Sequence, residues 1–96
     1  MKKEEIIHIL RRFKHNNQNK YNILKIGIFG SVVRETNTQT SDIDIVVFLG
    51  KQDLFDIIGI KQELEDELYA PVDIVIYRDN MNRFLKQRID NEAVYV

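Results

Sequence analysis

The stretch Ile23–Leu49, which reads ILKIGIFGSVVRETNTQTSDIDIVVFL, decides the fold of this chain. Its first part, Ile23–Phe29, is apolar and rich in β-branched residues, which predicts a strand that stops at the turn-forming pair Gly30-Ser31. Its last part, Ile43–Leu49, is almost continuously apolar and predicts a second strand that is buried on both faces. The segment therefore predicts two core strands joined by a turn and a loop.

The residues on either side of this stretch predict helices and a third strand, because apolar residues recur there at helical or strand spacing. The order of the elements predicts a small α/β (α+β) domain, in which a mixed β-sheet of three to four strands has helices packed on one face. We expect residues 1–96 to form one domain. The predicted elements around the two core strands are a helix over about 3–16, a helical turn over 32–34, a polar loop over 35–41, a helix from about Asp53 to Tyr69, a strand Val72–Tyr77, a last helix capped at Asp79-Asn80, and a short strand within 93–96.

The composition is that of an ordinary soluble protein, with 44% hydrophobic and 30% charged residues. The apolar runs are far shorter than the roughly 20 residues that span a bilayer, so no membrane segment is predicted. A signal-peptide pattern is lacking and there is no cysteine, which fits a cytoplasmic location. A net charge of −1 gives no general attraction to nucleic acid, and direct nucleic-acid binding is not expected.

Chemically informative residues follow the first strand and open the second. Gly30 allows the backbone to turn tightly and approach a ligand, and the helical turn after it presents free N–H groups suited to phosphates. Ser31 adds a hydroxyl donor beside them. Asp42 and Asp44 lie two residues apart at the start of a strand, so their carboxylates point to the same side of the sheet.

Two close carboxylates repel each other unless a cation neutralises them. Carboxylate oxygens are the ligands that hard divalent ions such as Mg²⁺ prefer. Asp73 lies in the third predicted strand and faces opposite to Ile74, against the apolar trend of that strand. If the second and third strands are neighbours, Asp73 completes the carboxylate set that a two-metal phosphoryl transfer requires. A purely structural role would need a cationic partner for each acid, and Arg34 and Lys25 are too few.

The spaced pattern of Gly30-Ser31, Arg34 and Ser41-Asp42-Ile43-Asp44 before an apolar strand resembles the signature of the DNA polymerase β-like nucleotidyltransferase superfamily. Within it the chain is similar, over nearly its whole length, to the minimal nucleotidyltransferases (MNT), the antitoxins paired with HEPN toxins in prokaryotes. The resemblance implies an enzyme that uses two Mg²⁺ ions to transfer AMP from ATP to a tyrosine hydroxyl of a HEPN toxin, which neutralises an RNase. The roles it implies are triphosphate binding for Gly30 and Ser31, metal binding for Asp42 and Asp44, and metal ligation with deprotonation of the acceptor for Asp73.

Two further residues are candidates for the nucleotide site, and one position departs from the family pattern. Arg34 either contacts a phosphate or forms a structural ion pair with Asp42 or Glu35. Ser41 either contributes to nucleotide binding or serves as a turn or cap residue. Family members usually carry glycine directly after the arginine, whereas this chain has Glu35, whose carboxylate either points to solvent or weakens nucleotide binding.

Three functions stay open on these grounds. The first is the protein adenylyltransferase, an active antitoxin enzyme. The second is an antitoxin of weak or absent activity that neutralises the HEPN protein by binding alone, an alternative that Glu35 motivates. The third is a transferase acting on a small molecule, which would need an acceptor pocket that so short a chain can hardly build.

Overall fold

The computed structural model describes residues 1–38 and 41–96 of the chain. It contains three helices and four strands within these residues, and both core strands have the predicted bounds. No helix in the part of the chain so described is long and apolar enough to cross a membrane. The elements are α1 (Lys3–Asn17), β1 (Ile23–Phe29), β2 (Ile43–Leu49), α2 (Leu54–Leu68), β3 (Val72–Ile76), α3 (Arg83–Glu92) and β4 (Val94–Tyr95).

The four strands form one mixed sheet in the order β3-β2-β1-β4. β1 pairs antiparallel with both β2 and β4, whereas β2 and β3 are parallel. The parallel pair requires a long crossover, and α2 supplies it in a βαβ unit. β2 is therefore a central strand, which explains its nearly continuous apolar sequence.

The two faces of the sheet are covered by different helices. Alternate residues of β1 and β2, such as Ile28 and Ile45, pack with α1 and α2 in the larger core cluster. The opposite face carries a smaller cluster in which Ile89 of α3 packs with Phe29 and Val46. The predicted mixed sheet is confirmed, and α1 and α2 share one face of it as predicted. α3 lies on the other face, where its own apolar stripe packs against the sheet.

Element ends differ from the prediction mainly around α3. The helix begins at Arg83 and not after Asp79-Asn80, because Asn82 is its N-cap and accepts a hydrogen bond from the Leu85 N–H at 3.0 Å. The predicted turn over 32–34 is present as part of a turn that extends from 30 to 35. The predicted loop 35–41 includes Gln39 and Thr40, which lie outside the described residues.

Candidate functional site

Three aspartates lie at one end of the sheet. Asp44 of β2 and Asp73 of β3 are direct partners in the parallel register, so their Cα atoms lie side by side on neighbouring strands. Asp42 precedes β2 by one residue, and the alternation of a strand places it on the same side as Asp44. The condition set by the sequence, that the second and third strands be neighbours, is met.

The charge of Asp44 is poorly compensated. Burial raises the pKa of its carboxyl above the ordinary value, and the nearby carboxylate of Asp73 raises this pKa further. Arg88 and Arg34 act in the opposite direction on the Asp44 pKa, and Asp42 adds a smaller increase. Within the described residues none of the three aspartates forms a salt bridge with a basic side chain. The site therefore holds more negative charge than its own cations neutralise.

Gly30 ends β1 directly beside Asp44. Its φ of +75° lies in the left-handed region, which glycine adopts without strain. A Cβ at this position would lie 3.1 Å from Cγ of Asp44 and still closer to its Oδ2. Glycine is thus required twice here, by the backbone conformation and by the close approach of the carboxylate.

The turn after Gly30 offers unpaired backbone donors, as the sequence predicted. The Arg34 N–H donates to the Gly30 carbonyl at 3.2 Å and closes one helical turn. Across residues 1–38 and 41–96, no acceptor is found for the N–H groups of Ser31, Val32 or Val33. Such successive free N–H groups form a concavity suited to an anion.

Arg34 forms an ion pair with Glu92 and not with either of the acids that the sequence suggested. Its Nη1 donates to both carboxylate oxygens of Glu92 at 3.1 Å. The same carboxylate accepts the Gly30 N–H at 2.8 Å and lies 3.7 Å from the Arg88 guanidinium. The part of the chain that the structure describes shows no ion pair of Arg34 with Asp42 or Glu35.

Arg88 and Glu92 are site residues that sequence reasoning missed. They are four residues apart on α3, which is the spacing of an ordinary helical ion pair. That spacing was visible in the sequence, but it gives no sign that α3 lies against the end of β1. Only the tertiary fold places them beside Gly30 and Asp44.

Ser41 is hydrogen-bonded to Thr38. Its Oγ accepts the Thr38 N–H at 3.0 Å and also shares a 3.0 Å hydrogen bond with the Thr38 hydroxyl. Such local bonds from a serine hydroxyl to the backbone help to fix the position of Ser41, the residue before Asp42. Nucleotide binding by Ser41 stays a prediction.

Glu35 stands in a backbone conformation that explains why glycine is usual there. Its φ is +58°, in the left-handed region, where a side chain costs about 1–2 kcal/mol. The Glu35 side chain is exposed and lines an open groove of about 490 Å³ together with Lys2 and Lys3 of the N-terminal segment. The Glu35 side chain is therefore open to solvent at this groove.

The donor set fits a divalent cation in its chemistry. Asp42 and Asp73 are exposed and Asp44 is partly buried, so solvent ions can reach all three carboxylates. Their side chains do not converge into a ready-made cage, since no three acids or histidines of the described residues lie close enough to hold a metal ion. Hard ions such as Mg²⁺ bind carboxylate oxygens, and the excess of negative charge at these aspartates favours a cation there.

The sequence matches a known protein family and several of its relatives. Residues 4–96 match the family model described as "Polymerase beta, Nucleotidyltransferase". The protein adenylyltransferase MntA of Thermococcus cleftensis is 33% identical over 94 residues, which cover 97% of this chain and 94% of that protein. A Methanocaldococcus jannaschii protein, provisionally named a protein adenylyltransferase, is 42% identical over 78 residues, or 80% of this chain and 83% of that protein.

Solved structures give the same result. A structure described as a minimal nucleotidyltransferase superposes with a TM-score of 0.80 at 27% identity, covering 98% of this chain and 95% of that chain. A structure described as a toxin–antitoxin with AMP-PNP superposes with a TM-score of 0.71 at 27% identity, covering 99% of this chain and 72% of that chain. The similarity extends over the whole sheet and its helices.

Proposed function

Because the chain belongs to the polymerase beta nucleotidyltransferase family, we propose that it transfers AMP from ATP to a tyrosine hydroxyl of a HEPN-domain toxin and thereby acts as its antitoxin. Relatives named protein adenylyltransferase support the reaction. The likeness to a toxin–antitoxin structure that holds AMP-PNP supports both the nucleotide and the kind of partner. We place the reaction in the cytoplasm, where ATP is abundant, and assign it to residues 1–96 as a single domain.

Asp42, Asp44 and Asp73 are the proposed ligands of two Mg²⁺ ions. When bound, such ions would neutralise the triphosphate and stabilise the charge that develops during transfer. The fold positions two of these ligands in advance, because Asp44 and Asp73 are direct partners in the register of β2 and β3. Burial and then the nearby Asp73 carboxylate raise the Asp44 pKa, and a bound cation would relieve the repulsion between the two carboxylates.

The turn after Gly30 is the proposed triphosphate-binding element. The free N–H groups of Ser31, Val32 and Val33 donate to phosphate oxygens, and the Ser31 hydroxyl adds a fourth donor. Arg34 supplies positive charge next to the turn while its guanidinium stays paired with Glu92. Ser41 fixes the approach to Asp42 through its bonds to Thr38.

In the proposed reaction the tyrosine oxygen of the partner attacks the α-phosphorus of ATP. The new O–Pα bond forms as the bond between Pα and the bridging oxygen breaks, and pyrophosphate leaves. Asp73, exposed at the edge of the site, accepts the proton that the tyrosine hydroxyl loses. The turn at Gly30 holds the departing pyrophosphate through backbone N–H groups.

One observation carries this proposal, namely the direct register of Asp44 with Asp73 beside the Gly30 turn. The test is intact-mass spectrometry of the co-encoded HEPN-domain protein after incubation with this chain, each NTP in turn, and Mg²⁺. An EDTA sample and the Asp44→Asn variant serve as controls. A gain of one or more AMP units that both controls abolish is the expected result, and peptide mapping then identifies the acceptor residue.

The same experiment separates the competing functions. A stable complex with no gain of mass would overturn the transferase and favour neutralisation by binding alone. Transfer of AMP to a small molecule in the absence of a partner protein would favour instead a transferase that acts on small molecules. A mass gain that persists in EDTA would refute the proposed metal dependence while leaving the reaction in place.

A further inference from the structure

Glu92, the last residue of α3, contacts the backbone of the Gly30 turn and two arginine side chains beside it. Its carboxylate accepts the Gly30 N–H at 2.8 Å and both oxygens receive Arg34 Nη1 at 3.1 Å. Arg88, one turn earlier on α3, lies 3.7 Å from the same carboxylate. The Glu92 side chain is only 20% exposed, whereas those of Arg34 and Arg88 are about half exposed.

Gly30 is thereby held between two carboxylates. Its N–H is fixed by Glu92, and the place where a side chain would stand is filled by the carboxylate of Asp44. The distance between the turn and Asp44 is thus set from both sides.

We propose that Glu92 is a positioning residue, which holds the triphosphate-binding turn in register with Asp44 through the Gly30 N–H and Arg34. This role rests on the proposed function, because it takes the Gly30 turn to be the phosphate-binding element. Glu92 itself does not touch the substrate. Its effect is to present the free N–H groups of the turn at a fixed place relative to the proposed metal ligands.

The position of Glu92 on its helix supports a role outside the helix. A carboxylate in the last turn opposes the helix dipole, which favours basic residues there. Within the helix an acid at this position gains only the ion pair with Arg88 at 3.7 Å, and the shorter contacts of the carboxylate are those to Gly30 and Arg34. Three groups from two parts of the chain converge on it.

The test compares three variants for AMP transfer to the HEPN-domain protein as a function of ATP concentration, and for binding of the fluorescent analogue mant-ATP with Mg²⁺. Glu92→Ala removes every contact of the carboxylate. Glu92→Gln keeps an oxygen that accepts the Gly30 N–H but lacks the charge. Asp90→Ala is the matched control, because Asp90 is also an acid of α3 and accepts a 2.7 Å hydrogen bond, but from Tyr77 and away from the turn.

For Glu92→Ala we expect the KM for ATP to rise about tenfold, equivalent to about 1.4 kcal/mol, with kcat nearly unchanged. Glu92→Gln should raise KM about threefold, because a charge-assisted hydrogen bond is roughly twice as strong as a neutral one. Asp90→Ala should lower the melting temperature and leave KM unchanged. The dissociation constant for mant-ATP should follow the KM values.

An unchanged KM in Glu92→Ala, with only a lower melting temperature, would show that Glu92 is merely structural. A lower KM would show that it competes with the triphosphate, which equally overturns the positioning role. If the wild-type chain neither transfers AMP nor binds mant-ATP, the proposed function fails and the positioning role fails with it. If it binds without transferring, the dissociation constants still decide the role of Glu92.

Discussion

Replacing Gly30 by alanine perturbs the site in two ways, through the backbone conformation of residue 30 and through the packing of the Asp44 carboxylate against it. The φ of +75° is one that alanine adopts at a cost of about 1–2 kcal/mol. The added Cβ would also overlap Asp44 Oδ2, so the carboxylate must move by about 1 Å to restore ordinary contact. Gly30→Ala should therefore damage both the stability of the fold and the catalytic geometry.

The two effects have different expected sizes. A loss of about 1–2 kcal/mol lowers the melting temperature of a domain of this length by about 4–16 °C. A displacement of about 1 Å in a group that positions reacting atoms is expected to slow transfer about a hundredfold at saturating ATP. The loss of rate at 25 °C should thus far exceed what the population of unfolded protein explains.

The assay combines thermal unfolding, followed by circular dichroism, with initial rates of AMP incorporation below the melting transition. Gly50→Ala is the matched control, because the nearest atom to a Cβ there is Leu24 Cδ2 at 3.6 Å, an ordinary contact. It should change stability by less than about 0.5 kcal/mol and leave the rate unaltered. Near-normal transfer by a folded Gly30→Ala protein would refute the claim that Asp44 must stay where Gly30 allows it.

Further variants test the carboxylates, the departure at Glu35 and the tyrosine network. Asp42→Asn with Asp44→Asn should slow transfer at least about a hundredfold, yet raise the melting temperature in EDTA because like charges are removed; a lower melting temperature there would contradict the repulsion. Glu35→Gly should alter KM for ATP less than about twofold, since the left-handed backbone suits glycine and the carboxylate is exposed; a large gain in transfer would instead make Glu35 the cause of a suppressed activity. The Asp90 carboxylate raises the pKa of Tyr77 to about 12, so the stability it lends is complete below pH 10 and lost as pH rises toward about 12. Ultraviolet titration should show that Tyr77→Phe removes a phenol that titrates near pH 12 in the wild type.

The core strands were predictable because burial dictates their composition. Ile23–Phe29 and Ile43–Leu49 have the predicted bounds, and each is followed by a glycine, Gly30 or Gly50. The last helix was less predictable, since two candidate caps precede it. Both Asp79-Asn80 and Asn82 can cap a helix, and the choice of Asn82 depends on where Ile89 must reach the sheet, which only the tertiary packing decides.

The same distinction holds for the candidate site, where local spacing predicts some residues and only tertiary packing brings in the others. Local spacing was enough to put Asp42 and Asp44 on one side of a strand, and the pairing of β2 with β3 needed only the assumption of neighbouring strands to add Asp73. Glu92 was beyond reach, because its bond to the Gly30 N–H joins residues 62 positions apart and nothing in either segment specifies the other. What sequence spacing reveals is therefore the set of groups proposed to meet the substrate. What holds those groups in place is a long-range contact, and it becomes visible only when α3 is seen to cover the second face of the sheet.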